Sequence, residues 1–132
     1  PLATVITPNL DEATILWGEK VNDLNGMKEA AKAIKALGPR YVLVKGGHLS
    51  GPKIFDVLYD GKRFEVWDTP KIPTEHTHGS GCTISAAIAA GLAKGHKMKE
   101  AVDTAQRYIH DAIRTAVKIG KGKGPVNHLV RP

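Results

Sequence analysis

Short runs of β-forming apolar residues alternate along the chain with longer stretches in which apolar residues recur every three or four positions, an order that predicts strands and helices in α/β succession. Residues 3–7 read as a short buried strand stopped by Pro8, after which Asn9 caps a helix over residues 10–17 that ends at Gly18. Asn25 is the expected cap of the next helix, in which Met27, Ala30, Ala31, Ile34 and Leu37 share one face before Gly38-Pro39 ends it. Tyr41-Val42-Leu43-Val44 is uninterrupted, as in a strand covered on both faces, and is expected to pair parallel with the first strand. It runs straight into Lys45-Gly46-Gly47-His48.

Residues 54–59 and 62–67 are β-like and flank Asp60-Gly61, a dipeptide favoured in two-residue hairpin turns whose central positions need positive φ. Pro70 and Pro73 hold an extended lead-in to His76-Thr77-His78-Gly79-Ser80-Gly81-Cys82. An alanine-rich helix to about residue 94 follows, closed by Gly95. From 98 to 119, small and apolar residues trace one face of a long amphipathic helix. Gly120, Gly122, Gly124 and Pro125 then make a loop, and residues 126–130 read as a terminal strand. The expected architecture is α/β, with ligand loops after the strand C-termini and a β-hairpin before the glycine-led helix.

At 132 residues the chain suits one domain, and 42% hydrophobic with 24% charged residues is the composition of an ordinary folded protein. Its longest mostly apolar run, residues 84–93, is half of the ~20 needed to cross a bilayer, and no charged-then-apolar leader opens the chain. No membrane partner is expected. A single cysteine forms no internal disulfide and suits a reducing cytoplasm. The start at Pro1-Leu2 suggests a fragment or a processed product.

The net charge of +6 is uneven: residues 1–66 hold nine basic and eight acidic side chains, residues 67–132 ten and five. This favours phosphate-bearing ligands for the second half. Nucleic acid is disfavoured, because aromatics are only 5% of the chain and the lysines form no stripe.

Gly79-Ser80-Gly81-Cys82 is the strongest candidate for chemistry. Glycines at a helix start let unpaired amides approach an anion, and the helix dipole favours negative charge there. The plain alternative is a tight turn beneath a packed helix. No Lys-Ser or Lys-Thr follows as a Walker loop requires, and no strand ends directly at the glycines as a dinucleotide fingerprint requires. Cys82, in the first helical turn, is either a small apolar filler or a base or nucleophile whose thiolate the dipole favours. Asn9 and Glu12 have capping-box spacing, and they also suit the waters of Mg²⁺; the two roles are compatible. Lys45 is either an exposed turn lysine or a phosphate ligand at the sheet's edge. His76, His78 and Cys82 match no structural zinc spacing and lack a fourth ligand.

Four segments, Thr7-Pro8-Asn9-Leu10-Asp11-Glu12-Ala13, Val44-Lys45-Gly46-Gly47-His48, Thr77-His78-Gly79-Ser80-Gly81-Cys82-Thr83 and Gly122-Lys123-Gly124-Pro125-Val126-Asn127-His128, stand in a specific order. With them the chain resembles the carboxyl-terminal half of the hydroxymethylpyrimidine/phosphomethylpyrimidine kinases, a ribokinase-like family of thiamine biosynthesis. The resemblance implies a three-layer α/β/α kinase in which this part supplies most of the ATP and Mg²⁺ site. Asn9 and Glu12 would serve the metal, and Gly79, Ser80 and Gly81 the anion hole. Cys82 would be the reactive residue, with Lys45, Gly47, Thr77 and Asn127 beside the nucleotide. Ser80 stands where threonine is common. The family's amino-terminal half, with most of the pyrimidine pocket, is absent from this sequence, so the chain alone is expected to be inactive and to associate with that half or with itself. The substrates implied are hydroxymethylpyrimidine and its phosphate, with pyridoxine-type vitamins as the alternative, or nucleotide binding without catalysis.

Overall fold

The computed structural model describes residues 2–47 and 49–131, which form two compact units, Pro1–Lys71 and Ile72–Pro132. His48 of the Lys45-Gly46-Gly47-His48 segment lies outside the described residues.

The first unit holds β1 (Val5–Ile6), α1 (Leu10–Trp17), α2 (Leu24–Ala36), β2 (Tyr41–Lys45), β3 (Lys53–Tyr59) and β4 (Phe64–Pro70). The strands make one sheet in the order β1-β2-β3-β4. The first pair is parallel, as expected of strands joined by a helical crossover, and the other two pairs are antiparallel. Met27, Ala30, Ala31 and Ile34 of α2 are fully buried in a cluster with Leu10, Ala13, Val42, Val44 and Val57, so the predicted stripe is the core. Its last member, Leu37, is 56% exposed because it caps the helix instead of continuing it. Val42, Leu43 and Val44 are all fully buried, so β2 is covered on both faces. Each such side chain contributes roughly 1.5–3 kcal/mol.

Several local expectations shift. Regular pairing of the first strand is confined to Val5–Ile6, although Tyr41 N–H still donates to Thr4 O (2.9 Å) and Lys45 N–H to Pro8 O (2.8 Å). Pro8 has no N–H with which to continue a ladder. The cap of α2 is Asp23 and not Asn25: its backbone is extended and its carboxylate accepts the Gly26 N–H at 2.7 Å, while Asn25 lies inside the helix. A charged acceptor at this end also complements the helix dipole. The hairpin turn is displaced by one residue. Asp60 N–H donates to Arg63 O, leaving Gly61 and Lys62 at the centre, and only Gly61 has positive φ, at 100°. This fits the turn that places glycine first. Asp60 stays outside because its carboxylate accepts the N–H groups of both Lys62 and Arg63 at 2.7 Å. Beyond the turn, Tyr59 and Phe64 stack at 4.4 Å, with the Lys28 and Lys32 ammonium groups 5.9 and 5.8 Å from the Phe64 ring centre.

The second unit is built on α3 (Ser80–Ala93) and α4 (Met98–Arg114) packed on each other, with Gly91 opposite Ala101 and Gly95 at φ 86° in the connection. α4 stops five residues short of the expected 119. Thr115 Oγ1 donates to Asp111 O (2.7 Å), Asn127 N–H donates to Ala112 O (2.9 Å), and Asn127 Nδ2 reaches Thr115 Oγ1 at 3.2 Å. The returning chain thus takes the terminal carbonyls that a further turn would have used, and Val117 and Ile119 are left exposed. Residues 126–130 form no strand: among the described residues the pairing here is the single bridge His78↔Pro125, and Leu129 N–H turns back to Asn127 Oδ1 (3.0 Å). Among the described residues no helix is long and apolar enough to cross a membrane.

Two predictions follow from these caps. Asp23→Ala should cost about 1 kcal/mol in urea denaturation whereas Asn25→Ala should be nearly neutral; equal effects would return the cap to Asn25. The Arg63 and Lys62 amides hold the Asp60 carboxyl below its ordinary range. The resulting stabilisation is complete above the unfolded-chain value and is lost as pH falls through the folded one. Asp60→Asn should therefore be the less stable protein at neutral pH, with the gap closing in acid.

Candidate functional site

In the first unit the candidate residues gather where β1 and β2 end. Asn9 pairs with Lys45 in a parallel bridge just beyond the regular ladder, so the head of α1 and the tip of β2 are adjacent. Asn9 Oδ1 accepts the Glu12 N–H, and Glu12 Oε2 accepts the Asn9 N–H, both at 2.8 Å. The capping box is therefore made. It uses one carboxylate oxygen and leaves Glu12 Oε1 outside it on an exposed side chain, a hard oxygen suited to the water shell of Mg²⁺.

Lys45 is half-buried at the strand end. Of the two glycines after it, Gly47 is exposed with open space where a Cβ would stand. Gly46 is buried, and a Cβ there would lie 2.1 Å from Phe55 O and 3.0 Å from Met27 Cε. Its amide donates to Asp56 Oδ1 at 2.9 Å. Asp56, 6% exposed, anchors this edge and was missed from the sequence. The available signal was an acid breaking the apolar run Lys53-Ile54-Phe55-Asp56-Val57-Leu58.

In the second unit Gly79 opens α3 in the left-handed region, φ 84°, and supplies no side-chain cap. Ser80 N–H folds back to Thr77 O (3.1 Å). Thr83 donates twice to Gly79 O, from N–H at 2.9 Å and Oγ1 at 2.8 Å. The Gly81 and Cys82 amides between them have no main-chain acceptor among the described residues. Cys82 is exposed and stands at one end of a mostly apolar groove of about 600 Å³ that continues past Ala86, Ala90 and Tyr108. Two amides with no main-chain acceptor among the described residues, at the positive end of a helix of fourteen residues, suit a phosphate.

Thr77 is exposed immediately before this turn. Asn127 has its side chain committed, its amide to Thr115 and its oxygen to Leu129 N–H, and so terminates α4. His76 has a role the sequence did not disclose: Nδ1 accepts the Gly124 N–H at 3.0 Å. Among the described residues no group of three or more His, Cys, Asp or Glu side chains is arranged to hold a metal ion.

Comparison with known proteins bears on this arrangement. A family model for phosphomethylpyrimidine kinase matches residues 1–127. The hydroxymethylpyrimidine/phosphomethylpyrimidine kinase of Streptomyces coelicolor is 46% identical over 97% of this chain and 47% of its own length. The thiamine biosynthesis bifunctional protein ThiED of Geobacter sulfurreducens is 47% identical over 98% of this chain and 26% of its own. A crystal structure of an ADP complex of Bacillus subtilis pyridoxal kinase superposes with a TM-score of 0.92 at 48% identity, over 97% of this chain and 50% of that one. The α/β fold is that of these ribokinase-like enzymes. The chain spans half or less of the length of these relatives.

The two adjacent glycines after β2 should respond differently to the same change. Gly46→Ala forces a Cβ against the Phe55 carbonyl and should cost about 1–3 kcal/mol in urea denaturation, with Gly47→Ala nearly neutral. Equal stability of the two variants would show that the Gly46 contact is not constraining.

Proposed function

Because the chain belongs to the phosphomethylpyrimidine kinase family, we propose that it supplies the nucleotide-binding and catalytic part of an ATP-dependent kinase acting on 4-amino-5-hydroxymethyl-2-methylpyrimidine and then on its monophosphate. The observation that carries this reading is the uncapped start of α3, where the Gly81 and Cys82 amides lack acceptors beside an exposed thiol. In phosphoryl transfer most of the acceleration comes from positioning and charge stabilisation, and amides fixed in advance do both without reorganising.

In this reading Cys82 accepts the proton of the substrate hydroxyl as that oxygen bonds to the γ-phosphorus of ATP and the bond to the departing ADP breaks. The Gly81 and Cys82 amides of the Gly79-Ser80-Gly81-Cys82 turn bear the charge on the transferring group, the Ser80 amide being engaged by Thr77 O. A serine at position 80 leaves them intact, since they belong to the main chain. Lys45, Gly47 and Thr77 serve the nucleotide. Asn127 acts indirectly, by ending α4 where the loop begins. Asn9 and Glu12 would hold the waters of Mg²⁺, which offsets phosphate charge when bound; the capping box orients both for this.

The remaining length of the relatives supplies the rest of the pyrimidine pocket, and the chain is expected to work joined to or associated with it. A second reading, phosphorylation of pyridoxal-type vitamins, is favoured by the likeness to Bacillus subtilis pyridoxal kinase.

The test is substrate-dependent ADP release by this chain completed with the rest of the family's length, comparing the pyrimidine with pyridoxal. Cys82→Ala should lower turnover by about a hundredfold or more while Mg-ADP binding in calorimetry is retained. Near-normal turnover of that variant would remove Cys82 from the mechanism. Failure of the unmodified protein to bind nucleotide would remove the site.

A further inference from the structure

Outside the residues already assigned, the most constrained contact in the second unit joins two segments far apart in sequence. His76 Nδ1 accepts the Gly124 N–H at 3.0 Å. Gly124 is buried, and the imidazole occupies the space its side chain would need: a Cβ there would meet Nδ1 at 2.6 Å and Cγ at 3.2 Å. Two residues on, the main chain repeats the grip, with His78 N–H donating to Gly124 O and Val126 N–H to His78 O, each at 3.3 Å. The loop ending at Gly124 is therefore fastened one residue before Gly79, whose turn leads into the Gly81 and Cys82 amides.

That loop, Gly120-Lys121-Gly122-Lys123-Gly124, is otherwise poor in attachments. Gly120 takes φ 75°, Gly122 has nothing within reach of a Cβ, and Lys121 and Lys123 are exposed. Three glycines in five residues leave the backbone conformationally free, so a fastening at Gly124 determines where the loop's end lies. A neutral imidazole has one acceptor nitrogen, and here it is spent on a main-chain amide.

Resting on the nucleotide reading above, we propose that His76 is a positioning residue for the anion site: through Gly124 it holds the Lys121 and Lys123 loop against the Gly79 turn, where the loop's two cations serve a bound polyphosphate. Its action is indirect, since its acceptor nitrogen is occupied by the loop. Loss of the acceptor frees the loop and weakens nucleotide binding without touching the amides of the turn.

The test reads the clasp and the nucleotide separately. Amide hydrogen exchange followed by NMR reports whether Gly124 N–H is protected, and calorimetry reports the Kd for Mg-ADP, both well below the melting temperature. His76→Ala should lose Gly124 protection and raise Kd about tenfold, the effect of one hydrogen bond's worth of ordering. His76→Asn, whose Oδ1 offers an acceptor near the position of Nδ1, should restore both. Lys121→Ala with Lys123→Ala should raise Kd while Gly124 stays protected. Unchanged Kd in a folded His76→Ala protein, or equal behaviour of the alanine and asparagine variants, would overturn the proposal. Should His76→Ala not fold, His76→Gln replaces it, and an unaltered Kd with Gly124 exposed has the same meaning. With the chain completed by the rest of the family's length in every arm, an unmodified protein that protects Gly124 but takes up no Mg-ADP removes the nucleotide reading along with the positioning role. If it binds Mg-ADP with Gly124 unprotected, only the positioning role fails.

Discussion

A helix begins with amides that its own backbone cannot satisfy, and most helices hide the deficit with a side chain at the cap. α3 does not. Gly79 has no side chain to offer, and its left-handed backbone turns the chain so that the Gly81 and Cys82 amides have no main-chain acceptor among the described residues. The surrounding contacts hold this arrangement in place. Thr83 grips the Gly79 carbonyl twice, and His78 is tied to the returning chain on both of its main-chain groups. A site with its donors already aligned needs little rearrangement when charge develops, the physical requirement of phosphoryl transfer.

The opening helix α1 solves the same problem in the opposite way. Asn9 and Glu12 satisfy each other's amides, so the start of this helix is closed to anions and offers a carboxylate instead. The bridge from Asn9 to Lys45 then sets the head of α1, which carries Glu12, beside the end of β2. Gly46 fits this edge because its amide is held by the buried Asp56 and its α-carbon lies against the Phe55 carbonyl. One glycine of the Lys45-Gly46-Gly47 segment is thus a packing necessity. The other is open to solvent.

What could be read along the chain was whatever depends on near neighbours. The α2 stripe, the β2 run, the capping box at Asn9 and the glycine that opens α3 each arise within a few residues, where helical or extended spacing and φ preferences act. Family resemblance added the order of the four motifs, and with it the kinase reading. The misjudged features all concern ends. Asp23 competed with Asn25 for a cap, Asp60 with the hairpin turn, and the C-terminal segment with the last turn of α4.

Ends are decided by which donor reaches which acceptor: at Asp23 and Asp60 two nearby candidates compete and the partners lie two or three residues away, whereas at the end of α4 they come from a distant part of the chain. Ala112 O meets Asn127 N–H across fifteen residues and His76 meets Gly124 across forty-eight, separations at which sequence spacing carries no geometric information. The same holds for the buried acid at Asp56, visible as an interruption of an apolar run but explained only by the Gly46 amide that β2 brings to it. Residue order alone therefore disclosed most of the elements and the buried faces of α2 and β2. Three-dimensional packing chose the termination of α4, the partner of the buried Asp56 and the histidine that fastens the glycine loop, because a hydrogen bond depends on distance in space.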